Sequence, residues 1–213
     1  MAMDKTKNAV AIFDKYAIEY QDKYMDVSRY ADTLDVFCNL IEKDTSKILE
    51  VACGPGNLTR YLIQQRSNFQ ILGIDLSSKM IDLAKINNPS AEFRVMDCKK
   101  ISDLTKTFDG ISCGFCLPYL SKEEARQLIT DAAKLLNKQG VLYLSTMEGD
   151  YSNSGLQGPS SGGSDTLFIH YHEADYLISY LKENKFMDLQ IHRKKYLGED
   201  GNLTTDLILL ARK

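Results

Sequence analysis

The chain has 213 residues, 44% of them hydrophobic, with 26 Lys and Arg against 29 Asp and Glu and a net charge of −3. That length builds one domain with a sizeable core and one modest addition, and the acidic balance argues against sequence-wide attraction to nucleic acid. No stretch approaches the ~18 continuous apolar residues of a membrane span, and the N-terminus, charged at Asp4, Lys5 and Lys7, lacks an apolar signal region. The five cysteines, Cys38, Cys53, Cys98, Cys113 and Cys116, are odd in number and lie mostly in or beside apolar runs. This suits free thiols in a reducing cytoplasm better than a disulfide framework.

Residues 9–43 read as helix, with Ile12, Phe13, Tyr16, Tyr20 and Tyr24 at mostly three- and four-residue spacing and a second run from Tyr30 to Ile41. Asp26 to Ser28 is the expected break. Ile48 to Ala52 is an apolar run typical of a strand buried on both faces. Gly54, Pro55 and Gly56 end it, and Leu58 to Gln65 resumes as helix with Asn57 at the cap position. A second strand, 70–74, ends in Asp75. Ser77 then caps a helix to Ile86, and Asn87–Pro89 stops it. Strands follow at 92–96 and 108–112, and Ser121 with Glu124 forms a capping box for a helix to about Leu136. A strand at 141–146 comes next. Residues 147–165, rich in Gly and Ser, lack periodicity and read as a lid, a binding loop or disorder. A helix at 173–184 and strands at 186–192 and 205–210 complete the chain. Alternation of strand and helix predicts an α/β, doubly wound, mainly parallel sheet. The short link before the last strand predicts an antiparallel, mixed end.

Strand, glycine turn and helix present backbone N–H groups to a ligand, and a carboxylate closing the next strand is placed to accept from ribose hydroxyls. Gly54, Gly56 and Asp75 therefore point to a nucleoside-containing cofactor. Thr59 stands where the dinucleotide pattern G-x-G-x-x-G has its third glycine, which counts against NAD or FAD. Glu50, inside an apolar run, needs a partner: a ligand ammonium or backbone donors. Asp97 follows the third strand and is either a ligand acid or an exposed turn.

LEVACGPGNLT, GIDLSSKMIDLAK, Asp97-Cys98 and FDGISCGFCLPYL together resemble the motifs of class I S-adenosylmethionine-dependent methyltransferases, over roughly residues 45–211. Ala52 stands where the family's first motif has glycine. The resemblance implies a Rossmann-like seven-stranded mixed sheet with helices on both faces, an N-terminal helical cap at 1–44 and a methyltransferase domain at 45–211. It implies that S-adenosyl-L-methionine is the cofactor. Gly54 and Gly56, beside Cys53, would approach its methionine portion with Glu50 orienting this region. Asp75 would take the ribose hydroxyls, Leu76 and Met80 would flank the adenine, and Asp97 or the Cys98 backbone would meet its amino edge. Cys113 and Phe115 would lie by the sulfonium.

The chemistry implied is direct methyl transfer to a small molecule, with in-line positioning more important than a strong base. Cys116-Leu117-Pro118-Tyr119 departs from the tetrad of DNA-amine methylating enzymes, which shifts the substrate toward small molecules and away from nucleic acid or membrane; a homodimer stays open. Tyr16, Tyr20 and Tyr24 are either packing residues or the mouth of the substrate pocket. Of His170 and His172, either one starts the helix and the other faces solvent, or one of them reaches the substrate and acts as a base, His170 being the candidate catalytic residue. Tyr20 and Tyr119 are the other candidate catalytic groups, with Tyr119, His170 and His172 also candidate substrate contacts. No metal site is expected, because Cys113 and Cys116 have no second pair. The N-terminal helices are expected to select the acceptor, leaving cofactor affinity to the sheet. A catalytically inactive cofactor-binding scaffold and an NAD-dependent oxidoreductase are the alternatives.

Overall fold

The computed structural model describes residues 5–158, 165–198 and 201–213. Its main sheet has seven strands. These are β1 (Lys47–Val51), β2 (Gln70–Asp75), β3 (Glu92–Val95), β4 (Phe108–Cys113), β5 (Leu136–Met147), β8 (Met187–Leu197) and β9 (Leu203–Arg212). Their order is β3-β2-β1-β4-β5-β9-β8. The first five run parallel, and β9 lies antiparallel between β5 and β8. The mixed sheet expected from the short final link is therefore present.

Both faces are covered, as the near-continuous apolar strands require. Helices α3 (Ala31–Leu40) and α4 (Asn57–Gln65) bury Leu34, Phe37 and Leu62 against Ile48, Val141, Tyr143 and Ile208. Helices α6 (Lys122–Leu135) and α7 (Ala174–Glu183) pack Leu128, Ile129, Leu177 and Leu181 with Leu49, Val51, Ile111 and Leu209 on the other face. Helix α5 (Ser78–Asn87) follows β2. Ser77 caps it by accepting from the Met80 N–H, and the Ser121–Glu124 capping box opens α6 with both reciprocal bonds. The α4 cap differs from expectation. Left-handed Gly56 is the N-cap residue, and the Asn57 amide instead donates to the Tyr24 carbonyl at 3.0 Å.

The N-terminal residues form α1 (Lys5–Lys15), α2 (Ala17–Tyr24) and a 3₁₀ turn at Ser28–Tyr30 before α3. They lie across the ends of the strands. Ile12 packs on Leu167 and Ile169, and Asp14 accepts from the Ser77 hydroxyl at 2.5 Å and the Lys79 N–H at 3.2 Å, at the head of α5.

The segment read as a structureless loop carries structure in its described part. Tyr151–Asn153 is a 3₁₀ turn, and β6 (Gly155–Gln157) pairs antiparallel with β7 (Leu167–Ile169). Residues 159–164 lie outside the described residues. The pairing was illegible because each strand has only three residues, too few to show a period.

Candidate functional site

One cleft of about 950 Å³, open mouth included, crosses the carboxyl ends of β1, β2 and β4 and runs under α1. This is where open α/β sheets bind ligands. Its floor begins at the glycine turn. Gly54 and Gly56 have φ of 52° and 80°, and Ala52 holds 55°. A left-handed alanine costs about 1–2 kcal/mol. Ala52→Gly is therefore expected to stabilise the protein by ~0.5–1 kcal/mol, the relieved strain less the extra freedom of an unfolded glycine. Urea denaturation checks this, and a destabilised variant would show that the Ala52 methyl packs better than its backbone suffers.

Asp75 organises the turn. Its carboxylate accepts from the Gly54 N–H and the Ser77 N–H, both at 2.9 Å, and it lines the cleft. Burial raises its pKa although the Ser77, Gly54 and Leu76 N–H groups pull it down. Leu76, Met80, Asp97, Cys98 and Phe115 line the same cleft. Asp97 accepts from the Lys99 N–H at 2.9 Å. Phe115 is left-handed at φ 54°, its N–H donates to the Ser145 hydroxyl at 3.0 Å, and its ring lies 5.4 Å from that of Tyr30.

Four of the residues expected at the cofactor do not line the cleft. Glu50 lies beneath the turn, 1% exposed, accepting from the Thr59 hydroxyl, so the residue in place of the third glycine is its donor. Cys53 turns into a small apolar cluster with Ile81, Ala84 and Phe93. Gly56 faces α5: a Cβ there would sit 2.3 Å from the Asn88 amide nitrogen. Cys113 is buried in the main core. Side-chain direction through a turn with left-handed Ala52, Gly54 and Gly56 does not follow strand alternation, and so escaped the sequence. The asparagines that end α5 also hold the turn: Asn87 donates to Pro55 O at 2.8 Å and Asn88 to Gly56 O at 2.9 Å. Their one signal, the Asn-Asn-Pro helix stop, had suggested only a terminator.

The tyrosines divide. Tyr20 lines the cleft over the turn, its ring carbon 3.7 Å from a Cβ built on Gly54. Tyr119 also lines it and meets Phe13 edge to face at 5.1 Å, as Phe13 meets Tyr20 at 5.7 Å. Burial raises the pKa of both phenols. Tyr24 is placed behind Tyr20, ring centroids 4.6 Å apart, and Tyr16 points elsewhere, donating to Asp165 at 2.8 Å.

Neither histidine faces solvent, and α7 starts beyond both. His170 lines the cleft, 7% exposed, with Nδ1 lacking a partner and burial lowering its pKa. It belongs to a group with Phe168, at 4.8 Å, and Lys5, whose ammonium sits 3.3 Å above the Phe168 ring. His172 is fully buried off the cleft, its Nε2 donating to Leu117 O at 2.8 Å and its Nδ1 accepting from the Tyr176 hydroxyl. Both nitrogens are committed, so it is a packing residue.

Burial takes His172 down to about 4. An unfolded histidine titrates near 6.5, so the unfolded chain binds more protons between those values. The contribution is complete above pH 6.5 and is lost as pH falls toward 4, by up to ~3 kcal/mol. Urea denaturation should show this loss in the wild type and a shallower one in His172→Gln; equal slopes would place the acid sensitivity elsewhere.

Helix α1 supplies Lys5, Thr6, Ala9, Val10 and Phe13 to the same cleft as Asp75 and Asp97. This sets α1 beside the residues expected at the cofactor as well as beside Tyr20 and Tyr119. Among the described residues no group of His, Cys, Asp or Glu could hold a metal ion, and no helix is long and apolar enough to cross a membrane.

The strand order, the glycine turn and the acid closing β2 define the class I S-adenosylmethionine-dependent methyltransferase fold. Residues 48–140 match the family model described as a methyltransferase domain. An uncharacterised methyltransferase of Alkaliphilus oremlandii is 34% identical over 143 residues, covering 62% of this chain and 64% of that protein. The demethylmenaquinone methyltransferase of Thermotoga maritima is 28% identical over 141 residues, covering 65% and 61%. The chain thus spans under two thirds of these relatives' lengths. The magnesium protoporphyrin IX methyltransferase of Synechocystis with bound S-adenosylhomocysteine superposes with a TM-score of 0.73 at 17% identity, covering 99% of this chain and 100% of that one. The 1,6-didemethyltoxoflavin-N1-methyltransferase of Burkholderia thailandensis, with 1,6-didemethyltoxoflavin and S-adenosylhomocysteine bound, gives 0.69 at 19%, covering 100% and 91%.

Proposed function

We propose that the protein transfers a methyl group from S-adenosylmethionine to a small-molecule acceptor. The observation that carries this is Asp75, fixed by two backbone N–H groups beside left-handed Gly54 in one cleft with Leu76, Met80 and Asp97. The residues fit the cofactor's chemistry. Asp75 keeps lone pairs for two ribose hydroxyls, Leu76 and Met80 offer apolar faces to an adenine, and Asp97 or the Cys98 backbone serves its amino edge. The relatives that bind S-adenosylhomocysteine share this sheet.

Bound there, S-adenosylmethionine supplies an electrophilic methyl, which an acceptor's lone pair takes as the carbon–sulfur bond breaks toward sulfur. The chain's own part is to orient and to exclude water. Tyr20 sits over the glycine turn and is the tyrosine best placed to wall the acceptor. Tyr119 continues that wall through Phe13. His170 sits with Lys5 and Phe168, its N–H bonded to Pro118 O beside Tyr119, and we read it as a substrate contact next to Tyr119. The α1 and β6–β7 cover leaves a cleft scaled to a small molecule. Five free thiols support a reducing, cytoplasmic setting.

Calorimetry with S-adenosylmethionine, S-adenosylhomocysteine and NAD tests the cofactor, and binding of NAD but neither sulfur nucleoside would sink the reading. Label from methyl-labelled cofactor, screened against pools of small phenols, amines and quinols, tests the transfer. Cofactor binding without transfer to any pool would favour the scaffold.

A further inference from the structure

Among the described residues, the sheet beneath the glycine turn holds two acids and no cation. Glu50 is 1% exposed, shares the Ile48 face of β1 covered by α3 and α4, and is bonded by Thr59 of α4, through its hydroxyl and its backbone N–H. Its Oε1 has no partner. Ser112, its neighbour in register on β4, is equally buried, and its hydroxyl also lacks a partner. From β2 the facing group is Asp75, whose charge acts on Glu50. From the turn it is Cys53, whose thiol burial holds well above its usual range. None of the ion pairs among the described residues involves Glu50 or Asp75. The cleft's lysines are engaged elsewhere, Lys5 over Phe168 and Lys99 on Thr6 and Glu124.

A carboxylate buried with one oxygen unbonded and a second acid nearby is expensive, and a proton is its simplest remedy. We propose that Glu50 holds a proton in the ligand-free protein and releases it to solvent when a ligand's ammonium group seats at the Gly54 turn, so that cofactor binding is coupled to proton release. This rests on the cofactor reading above. The burial of Glu50 with an unpartnered oxygen supplies the first half, and the charge that the ligand brings supplies the second. Among the described residues no cation stabilises the ionised form, and a positive charge arriving within about 4–6 Å of a carboxyl favours ionisation. Burial, with a smaller contribution from Asp75, pushes the Glu50 carboxyl up to about 8 against the pull of the Thr59 hydroxyl and N–H.

The test is calorimetry of S-adenosylhomocysteine binding in phosphate and in Tris, whose different ionisation heats count the protons released. From a free value of about 8, release should be ~0.9 proton at pH 7 and ~0.5 at pH 8, with affinity rising across that range. 5′-Methylthioadenosine, which lacks the ammonium, should bind without releasing a proton. Glu50→Gln keeps the shape of the protonated acid, so it should stay folded by circular dichroism, bind S-adenosylhomocysteine, release nothing and lose the pH dependence. Unchanged release in Glu50→Gln would assign the proton to another group, and tight wild-type binding without release would show that Glu50 keeps one protonation state throughout; either overturns the proposal. If neither nucleoside binds the wild type, the cofactor reading fails, and this proposal with it.

Discussion

Removing residues 1–15 is expected to weaken S-adenosylhomocysteine binding by at least tenfold, while the rest of the chain stays folded. Five side chains of α1 line the cleft that also holds Asp75, Leu76, Met80 and Asp97, so a ligand seated there is covered by this helix. Losing its apolar cover exposes the ligand to water; at ~25 cal/mol per Å², some 60 Å² of lost apolar burial already amounts to about tenfold. A second loss follows from Asp14, whose carboxylate bonds the Ser77 hydroxyl and the Lys79 N–H at the head of α5, directly beside Asp75. Folding should survive because neither large core cluster contains a buried α1 side chain; Ile12, the buried residue of this helix, belongs to a small separate cluster. Calorimetry and circular dichroism on the truncated chain give both readings. A folded truncation with undiminished affinity would return α1 to the acceptor alone, as the sequence had suggested.

Asp75→Ala should weaken the same ligand by ~1–3 kcal/mol, about five- to 150-fold, because it removes charge-assisted bonds to two hydroxyls. The substitution also frees the Gly54 and Ser77 N–H groups that now donate to the carboxylate at 2.9 Å, so the turn itself loosens. Asp75→Asn separates the two effects. The amide oxygen still accepts, but its NH₂ cannot accept from a second hydroxyl, so affinity should fall to an intermediate level with a smaller loss of melting temperature. Unchanged affinity in a folded Asp75→Ala protein would put the ribose elsewhere in the cleft.

What was legible in the sequence was governed by local rules. Apolar runs of four to six residues ending in glycine or an acid predicted the parallel strands, and Ser77 and Ser121–Glu124 marked helix starts whose hydrogen bonds the structure contains. Asp75 and Gly54 meet because successive parallel strands end on one side, which connectivity alone dictates. Tertiary structure decided what depends on direction and distant partners. Left-handed backbone at Ala52, Gly54 and Gly56 turned Cys53 and Gly56 off the cleft and left Asn88 to hold the turn. The tyrosine stripe could not say which ring would face a ligand: Tyr20 went over Gly54, and Tyr16 to Asp165, 149 residues away in the chain. His170 and His172 share a sequence pattern yet reached different environments, one beside the cleft with an unpartnered nitrogen, the other closed between Leu117 and Tyr176. Helix α1 is placed by Ile12 against β7 and by Asp14 at α5, contacts more than sixty residues apart in sequence, and no period within eleven residues encodes which surface they will meet.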